Sequence, residues 1–324
     1  MLKALVAGTA AMLALQMANT QIAQAAYPER PITLVVPFSA GASTDTLARL
    51  MGQAVSKTLG QNVIVENRPG AGGIIAADYL RRQKPDGYTF MLTTDGIMSV
   101  NPSIHKSLAY QPLEDFTPLT IAAVAPVVLI VRSDSPFKNM QDIIAFAKSH
   151  PAGTLTFGTS GIGTSQHIAG ELFNQLAGVE LKHIPYKGGA PAMTDLLGGH
   201  LSMMFGQIPS AKEAAEQGKV RILAIGSPAR SAILPEVPTV AELGLAGYDS
   251  DTWYGFALPG GTPAEVQMKL YEALSDALQS HREQLEELGY VVLGGTPSDM
   301  AATIESNTAK WKGVLQRAGI YHMQ

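Results

Sequence analysis

"VVPFSAGASTDTLAR", residues 35–49, passes from an apolar β-branched run through Gly, Ser, Thr and Ala into a helical pattern. The run reads as a buried strand, and the apolar spacing after it predicts a helix over Thr44–Leu59 that Gly60 closes. Small residues between the two leave backbone N–H groups uncovered and give a ligand room to approach them. At the start of a helix the first amides have no intrahelical partner, and the dipole favours negative charge there. The stretch therefore reads either as an anion site at a helix N-terminus or as an ordinary turn between strand and helix.

A second stretch of the same design changes the balance. "TLTFGTSGIGTSQHIAGELFNQLAG", residues 154–178, lies about 120 residues further on, roughly one domain's length. Two such loops, placed equivalently in two lobes, would aim two helix N-termini into one cleft. Several enzyme motifs fail here. "GTSGIGTS" has the spacing of a phosphate-binding loop, but Thr164 stands where the Lys is needed. A dinucleotide fingerprint needs a third Gly after Gly161 and Gly163, and that position holds Gln166. A nucleophile elbow, G-x-S-x-G, would need Gly in place of Ile162. The seven His are scattered and there is no Cys, so neither a metal nor a cofactor is expected. What remains is uncharged recognition through amides and hydroxyls, suited to a carboxylate that must be held and released. His167, beside the second loop, either bonds a neighbouring carbonyl or touches the ligand.

From Pro31 onward, short β-branched runs alternate with helical patterns, which implies mainly parallel sheets with helices on both faces. Two such series of similar size predict two lobes, joined through "VAPVVLIVR" and through "DTWYGFALP" (251–259), with a cleft between them. The expected division is residues 26–128 with 250–324 for the first lobe and 129–249 for the second. Pro126 is expected to break "LTIAAVAPVVLIV" (119–131) into two buried strands. "TPAEV", "TPSDM" and "TVAEL" read as capping boxes headed by Thr262, Thr296 and Thr239. Asp95, in "TTDGIMSVNP", lies past a strand end aimed at the cleft. It reads as the turn residue before Gly96, or as a group that repels a second carboxylate or accepts a bond from a ligand amine or hydroxyl. Trp253 and Tyr254, on the return strand, read as hinge packing or as the floor beneath an aromatic ligand.

Composition narrows the partners. A net charge of −4 without a block of Lys or Arg leaves no basic footprint for nucleic acid. The first 25 residues combine Lys3, the apolar run Ala4–Met17 and "AQA" at 23–25, which predicts a cleaved signal peptide and a periplasmic mature chain beginning near Ala26. Gln16, Asn19 and Gln21 interrupt the run well short of the ~20 apolar residues a membrane span needs. The absence of Cys excludes a lipid anchor on a mature N-terminal thiol.

"VPFSAGASTDTLAR", "VIVENRPGAGGIIAADYL", "PDGYTFMLTT", "FGTSGIGTSQHIAGELF", "HIPYKGGAPAMTDLLGGH", "LAIGSPARSAILPEVPTVAELG" and "WYGFALPGGTPAEV" occur in this order along the chain. Together they resemble the Bug family, the TctC-like extracytoplasmic solute receptors of tripartite tricarboxylate transporters. The resemblance implies a two-lobed, Venus-flytrap periplasmic binding protein with a double crossover hinge and a small organic carboxylate as ligand. It implies ligand contacts from Phe38, Ser39, Ala40, Gly41, Ala42, Ser43 and Asp45 in the first lobe. In the second it implies contacts from Thr159, Ser160, Gly161, Gly163, Thr164, Ser165 and His167, and from the "YKGG" stretch Tyr186, Lys187, Gly188, Gly189 with Ala190. Two positions depart from the family pattern. A Gly-Gly pair before Pro is replaced by Gly41-Ala42-Ser43, and an Asp after the "MMF" strand by Gly206-Gln207, which puts Gln207 at the ligand with altered selectivity. A monomer that docks to membrane transporter subunits is expected. An exported α/β enzyme acting on a carboxylic acid is the alternative, discouraged by the missing nucleophile–base pair. A ligand-sensing partner of a membrane sensor kinase is another.

Overall fold

A computed structural model describes residues 27–317 and 319–321; the expected signal peptide lies outside the described residues. The strands are β1 (Ile32–Val36), β2 (Val63–Asn67), β3 (Thr89–Thr94), β4 (Phe116–Arg132), β5 (Thr156–Thr159), β6 (Lys182–Pro185), β7 (Met203–Gln207), β8 (Val220–Ile225), β9 (Asp251–Pro259) and β10 (Val291–Val292). Their order is β2-β1-β3-β9-β4-β7-β5-β6, with β8 and β10 also paired to β4. β1, β2 and β3 run parallel, as do β5, β6 and β7. These are the strands whose crossovers are helices, and parallel pairing requires such crossovers.

The helix Ser43–Leu59 shows how pattern becomes packing. Leu47, Met51 and Val55, each four residues apart, are fully buried against β1, β3 and the helix Ala264–Ser280. Each buried side chain of this kind contributes about 1.5–3 kcal/mol. Gly60 ends the helix at φ 66°, a left-handed conformation that spares it a Cβ penalty.

β4 is one continuous strand of 17 residues, not two. Pro126 pairs with Asp251 in the last register position shared with β9, and the next residue, Val127, pairs with Gln207 of β7. The residue without an N–H thus sits where the strand changes partner, so the ladder is not broken there. This changeover is the hinge. The segment between β8 and β9 crosses beside it, with Gly226 donating to the Val127 carbonyl and Ser250 to the Gly226 carbonyl. The C-terminal helix Pro297–Arg317 spans both halves. Met300 and Ile304 join the core of the first lobe, while Trp311, Val314 and Leu315 join that of the second.

Of the three expected capping boxes, Thr296–Asp299 and Thr239–Glu242 form reciprocal bonds, although the latter closes only a turn. Thr262 does not cap its helix. Its hydroxyl donates to the Pro259 carbonyl, and Pro263 takes the cap position.

Candidate functional site

The first loop, Pro37–Ala42, is pinned from beneath. Asp45 accepts the Gly41 N–H at 3.1 Å, Arg49 Nε at 2.9 Å and Asn67 Nδ2 at 3.0 Å, while Asn67 also donates to the Phe38 carbonyl. Burial alone would push the Asp45 carboxyl up, but these hydrogen bonds outweigh it and hold the group below the usual carboxylate range. Asp45 therefore braces the loop. The helix it opens has no side-chain cap at Ala42.

The second loop is held by its own side chains. Thr164 caps the helix Ser165–Ala177 by accepting the His167 N–H at 3.4 Å, and its hydroxyl donates to the Gly161 carbonyl. Ser160 Oγ donates to Gln166 Oε1 at 2.6 Å. His167 Nδ1 accepts the Gly163 N–H, so the ring bonds an amide rather than a carbonyl. It stacks on His183 with centroids 4.1 Å apart, and His183 Nε2 meets the Thr159 hydroxyl. Burial pushes His167 down to about 4, and burial with His167 alongside pushes His183 down to about 3, so both rings are neutral at pH 7.

Between the loops lies a cavity with walls from both lobes. Phe38, Ala42, Ser43, Thr44, Thr94 and Thr252 come from one side; Ser160, Thr164, Ser165, Gln166, Gly189 and Gln207 come from the other. No wall residue carries a charge. Four helices begin at this cavity: Ser43–Leu59, Ser165–Ala177, Gly189–Leu197 and Ile208–Glu216. Three of the four have no side-chain cap. Tyr254, buried on β9, donates to Ser43 Oγ at 3.1 Å. Ser43 in turn donates to Gln207 Oε1, and Gln207 Nε2 donates to Thr252. That chain of bonds ties the two lobes together across the cavity.

The lobes are closed, and glycines let them touch. A Cβ on Gly72 would lie 1.9 Å from the Ile162 carbonyl oxygen, one on Gly96 would lie 2.7 Å from that of Gly163, and one on Gly188 would lie 2.2 Å from Ser39 Oγ. Ser39 N–H donates to the Lys187 carbonyl at 3.1 Å. Asp95 does not line the cavity. It is buried behind it, where its Oδ1 accepts the Ser165 hydroxyl at 2.8 Å across the lobe contact and its Oδ2 has no hydrogen-bond partner. Burial pushes this carboxyl up to about 7 against the Ser165 and Gly96 hydrogen bonds, with Asp251 adding to the rise.

Of the residues named from sequence, Phe38, Ala42, Ser43, Ser160, Thr164, Ser165, Gly189 and Gln207 line the cavity. Ser39, Gly41, Gly161, Gly163, Lys187, Gly188 and Ala190 stand at or beside the lobe contact instead. Ala40 is exposed. Tyr186 is turned to Asp195 Oδ2, 2.6 Å from its hydroxyl. Thr44, Thr94, Gln166 and Thr252 were not foreseen, while Tyr254, named from sequence, stands behind the wall on Ser43. Thr44 and Gln166 flank foreseen residues in the helix starts, and a reading of each first turn as a whole would have found them.

These features define a class of protein: a two-lobed solute receptor with the periplasmic-binding-protein fold. Residues 47–320 match the tripartite tricarboxylate transporter family receptor family, TctC, and the chain belongs to it. It is 35% identical over 296 residues to Protein BugT of Bordetella pertussis, covering 90% of this chain and 90% of that one. Among solved structures, "R. palustris Rpa4515 with adipate" matches at a TM-score of 0.87 and 37% identity, covering 90% of this chain and 98% of that one. MatC (Rpa3494) from Rhodopseudomonas palustris, with bound malate, matches at 0.85 and 34% identity, covering 89% and 100%. The family is one of transporter receptors, not enzymes.

Proposed function

We propose that this chain is a periplasmic receptor that captures a small organic carboxylate between its lobes and delivers it to the membrane subunits of a tripartite tricarboxylate-type transporter. The observation that carries the reading is the convergence of four helix N-termini on a cavity without charged side chains. Each helix end contributes about 0.3–1 kcal/mol toward holding a negative charge, and up to ~2 when partly buried. The adipate and malate of the two relatives are ligands of this chemistry. In the closed form the cavity measures only about 10 Å³, close to the roughly 10–15 Å³ that one water requires. A carboxylate therefore enters with the lobes parted and leaves them slightly wider than they stand here.

Under this reading the first lobe is 26–128 with 250–324, the second is 129–249, the end of the C-terminal helix reaches over to the second lobe's core, and a signal peptide is cut near Ala26. No helix among the described residues is long and apolar enough to cross a membrane. The test is a thermal-shift and calorimetric panel of mono-, di- and tricarboxylates, malate and adipate included, on the mature chain. A ligand at 100 Kd raises stability by about 2.7 kcal/mol. A panel in which no acid raises the melting temperature contradicts the proposal.

A further inference from the structure

A second cavity at the two lobes' junction is far larger than the carboxylate site. It lies at the hinge, where Pro126 and Asp251 form the last β4–β9 pair, and measures about 680 Å³, within the usual range of small-molecule pockets. Its walls are mostly apolar: Val124 and Pro126 from β4, Pro228 and Ile233 from the second lobe, Tyr290 and Val291 from the first. Both lobes shape it closely. A Cβ on Gly289, also in the wall, would lie 2.5 Å from Ile208 Cγ2 in the second lobe.

Three charged groups line the cavity, and two of them are committed. Arg230 is paired with Glu242 at 2.8 Å, and Glu286 with Arg282 at 3.1 Å. Asp251 forms no ion pair among the described residues. Its Oδ1 accepts the Ser227 hydroxyl, and Lys310, the cation that acts on it, is held by Asp249 at 2.8 Å. Burial pushes the Asp251 carboxyl up and Asp249 adds to the rise, which the Ser227 hydrogen bond and Lys310 offset only in part. A carboxylate in an apolar wall is stabilised by a cation brought to it.

We propose that the hinge cavity is a second ligand site, which takes a small amphipathic cation with its apolar body against Val124, Ile233 and Val291 and its protonated amine on Asp251. The walls of the two sites touch. Tyr290 donates its hydroxyl to the Ser43 carbonyl, and Asp251 precedes Thr252; Ser43 and Thr252 both line the carboxylate cavity. An occupant that fits the closed hinge favours closure and so strengthens carboxylate binding. By linkage, the carboxylate strengthens amine binding by the same factor.

The test uses benzylamine on the mature wild-type chain, with benzyl alcohol and benzamide as its uncharged counterparts, followed by calorimetry and ligand-observed NMR. Benzylamine is expected to bind, the two counterparts to bind about tenfold more weakly or not at all, and Asp251→Asn to lose about tenfold. Ala232→Trp, at an exposed position of the cavity rim, fills the space without touching the core and is expected to abolish binding. Failure of benzylamine to bind, equal binding of benzyl alcohol, or binding unchanged in Ala232→Trp overturns the proposal. These arms need no carboxylate, so they stand apart from the proposed function. Where an acid from the panel binds, its affinity is expected to rise in saturating benzylamine, and an unchanged affinity overturns the coupling.

Discussion

The two loops that face each other across the cleft reach the same end by different means. Pro37–Ala42 is held from outside itself, by the carboxylate of Asp45 with Asn67 and Arg49 behind it, and its helix start is left uncapped. The second-lobe loop is held from within, by Thr164, by the Ser160–Gln166 bond and by a neutral His167. The charged brace beneath the first loop takes up the Gly41 N–H but leaves the helix start without a side-chain cap. Hydroxyl and imidazole braces in the other use up part of what they could offer. The first loop is thus the more open half of the anion site, and the second is the more self-contained scaffold against which it closes.

The largest effect is expected where the loops meet. Gly96→Ala adds a methyl that must displace the Gly163 carbonyl of the other lobe, at a position without positive φ, so the strain falls on closure rather than on the turn. Overpacking of about 1–3 kcal/mol corresponds to roughly 5- to 150-fold weaker ligand binding. The melting temperature of the unliganded protein, measured beside calorimetric affinity, should change little by comparison.

Next is the charged brace. Asp45→Asn removes the charge from the bonds to Arg49 and Gly41, which are worth about 1.5–3 kcal/mol each when charge-assisted. Because Asp45 is held below its unfolded value, its contribution is present above about pH 4 and lost as pH falls through the lower folded value. Denaturant melts at pH 7 should show the loss, and the difference from wild type should shrink as the pH drops below 4.

The hydroxyls then separate the loops. Ser43→Ala breaks the bond to Gln207 across the cavity and the bond from Tyr254 behind it, and is expected to weaken ligand binding about tenfold with a small change in stability. Thr164→Ala removes a helix cap and is expected to cost about 0.5–2 kcal/mol of stability instead, with the smaller effect on affinity. Equal behaviour of the two variants would erase the distinction between the loops.

The smallest effects concern pH. Burial holds folded His167 down to about 4 against about 6.5 when unfolded, so its contribution is present above 6.5 and lost as pH falls from there through about 4. His167→Gln should flatten the fall in melting temperature over that window by a few degrees, with ~1 kcal/mol equal to about 2–4 °C.

Much of this was legible from residues alone. Strand, helix and loop alternate with clear periodicity, and the two Gly/Ser/Thr stretches announce their helices. What local spacing does not encode is the order of strands in the sheet. β9 enters between β3 and β4, and this brings Thr252 and Tyr254 beside Thr94 and Ser43. Pro126 misled because a missing N–H breaks a strand only where the ladder needs it, and here the ladder changes partner. Asp95 reads as a cleft residue from its place after β3, but lobe packing directs it to the Ser165 hydroxyl behind the wall.

The central claim is that uncharged helix starts, rather than a cation, hold the ligand. It is tested most directly by a crystal structure of the mature chain with the tightest-binding acid of the panel. The account predicts one carboxylate within hydrogen-bond distance of backbone amides in the first turns at Ser43–Thr44, Ser165–Gln166 or Gly189–Ala190, with no Lys or Arg side chain on it. A carboxylate held by a Lys or Arg side chain, or seated outside this cavity, would contradict it.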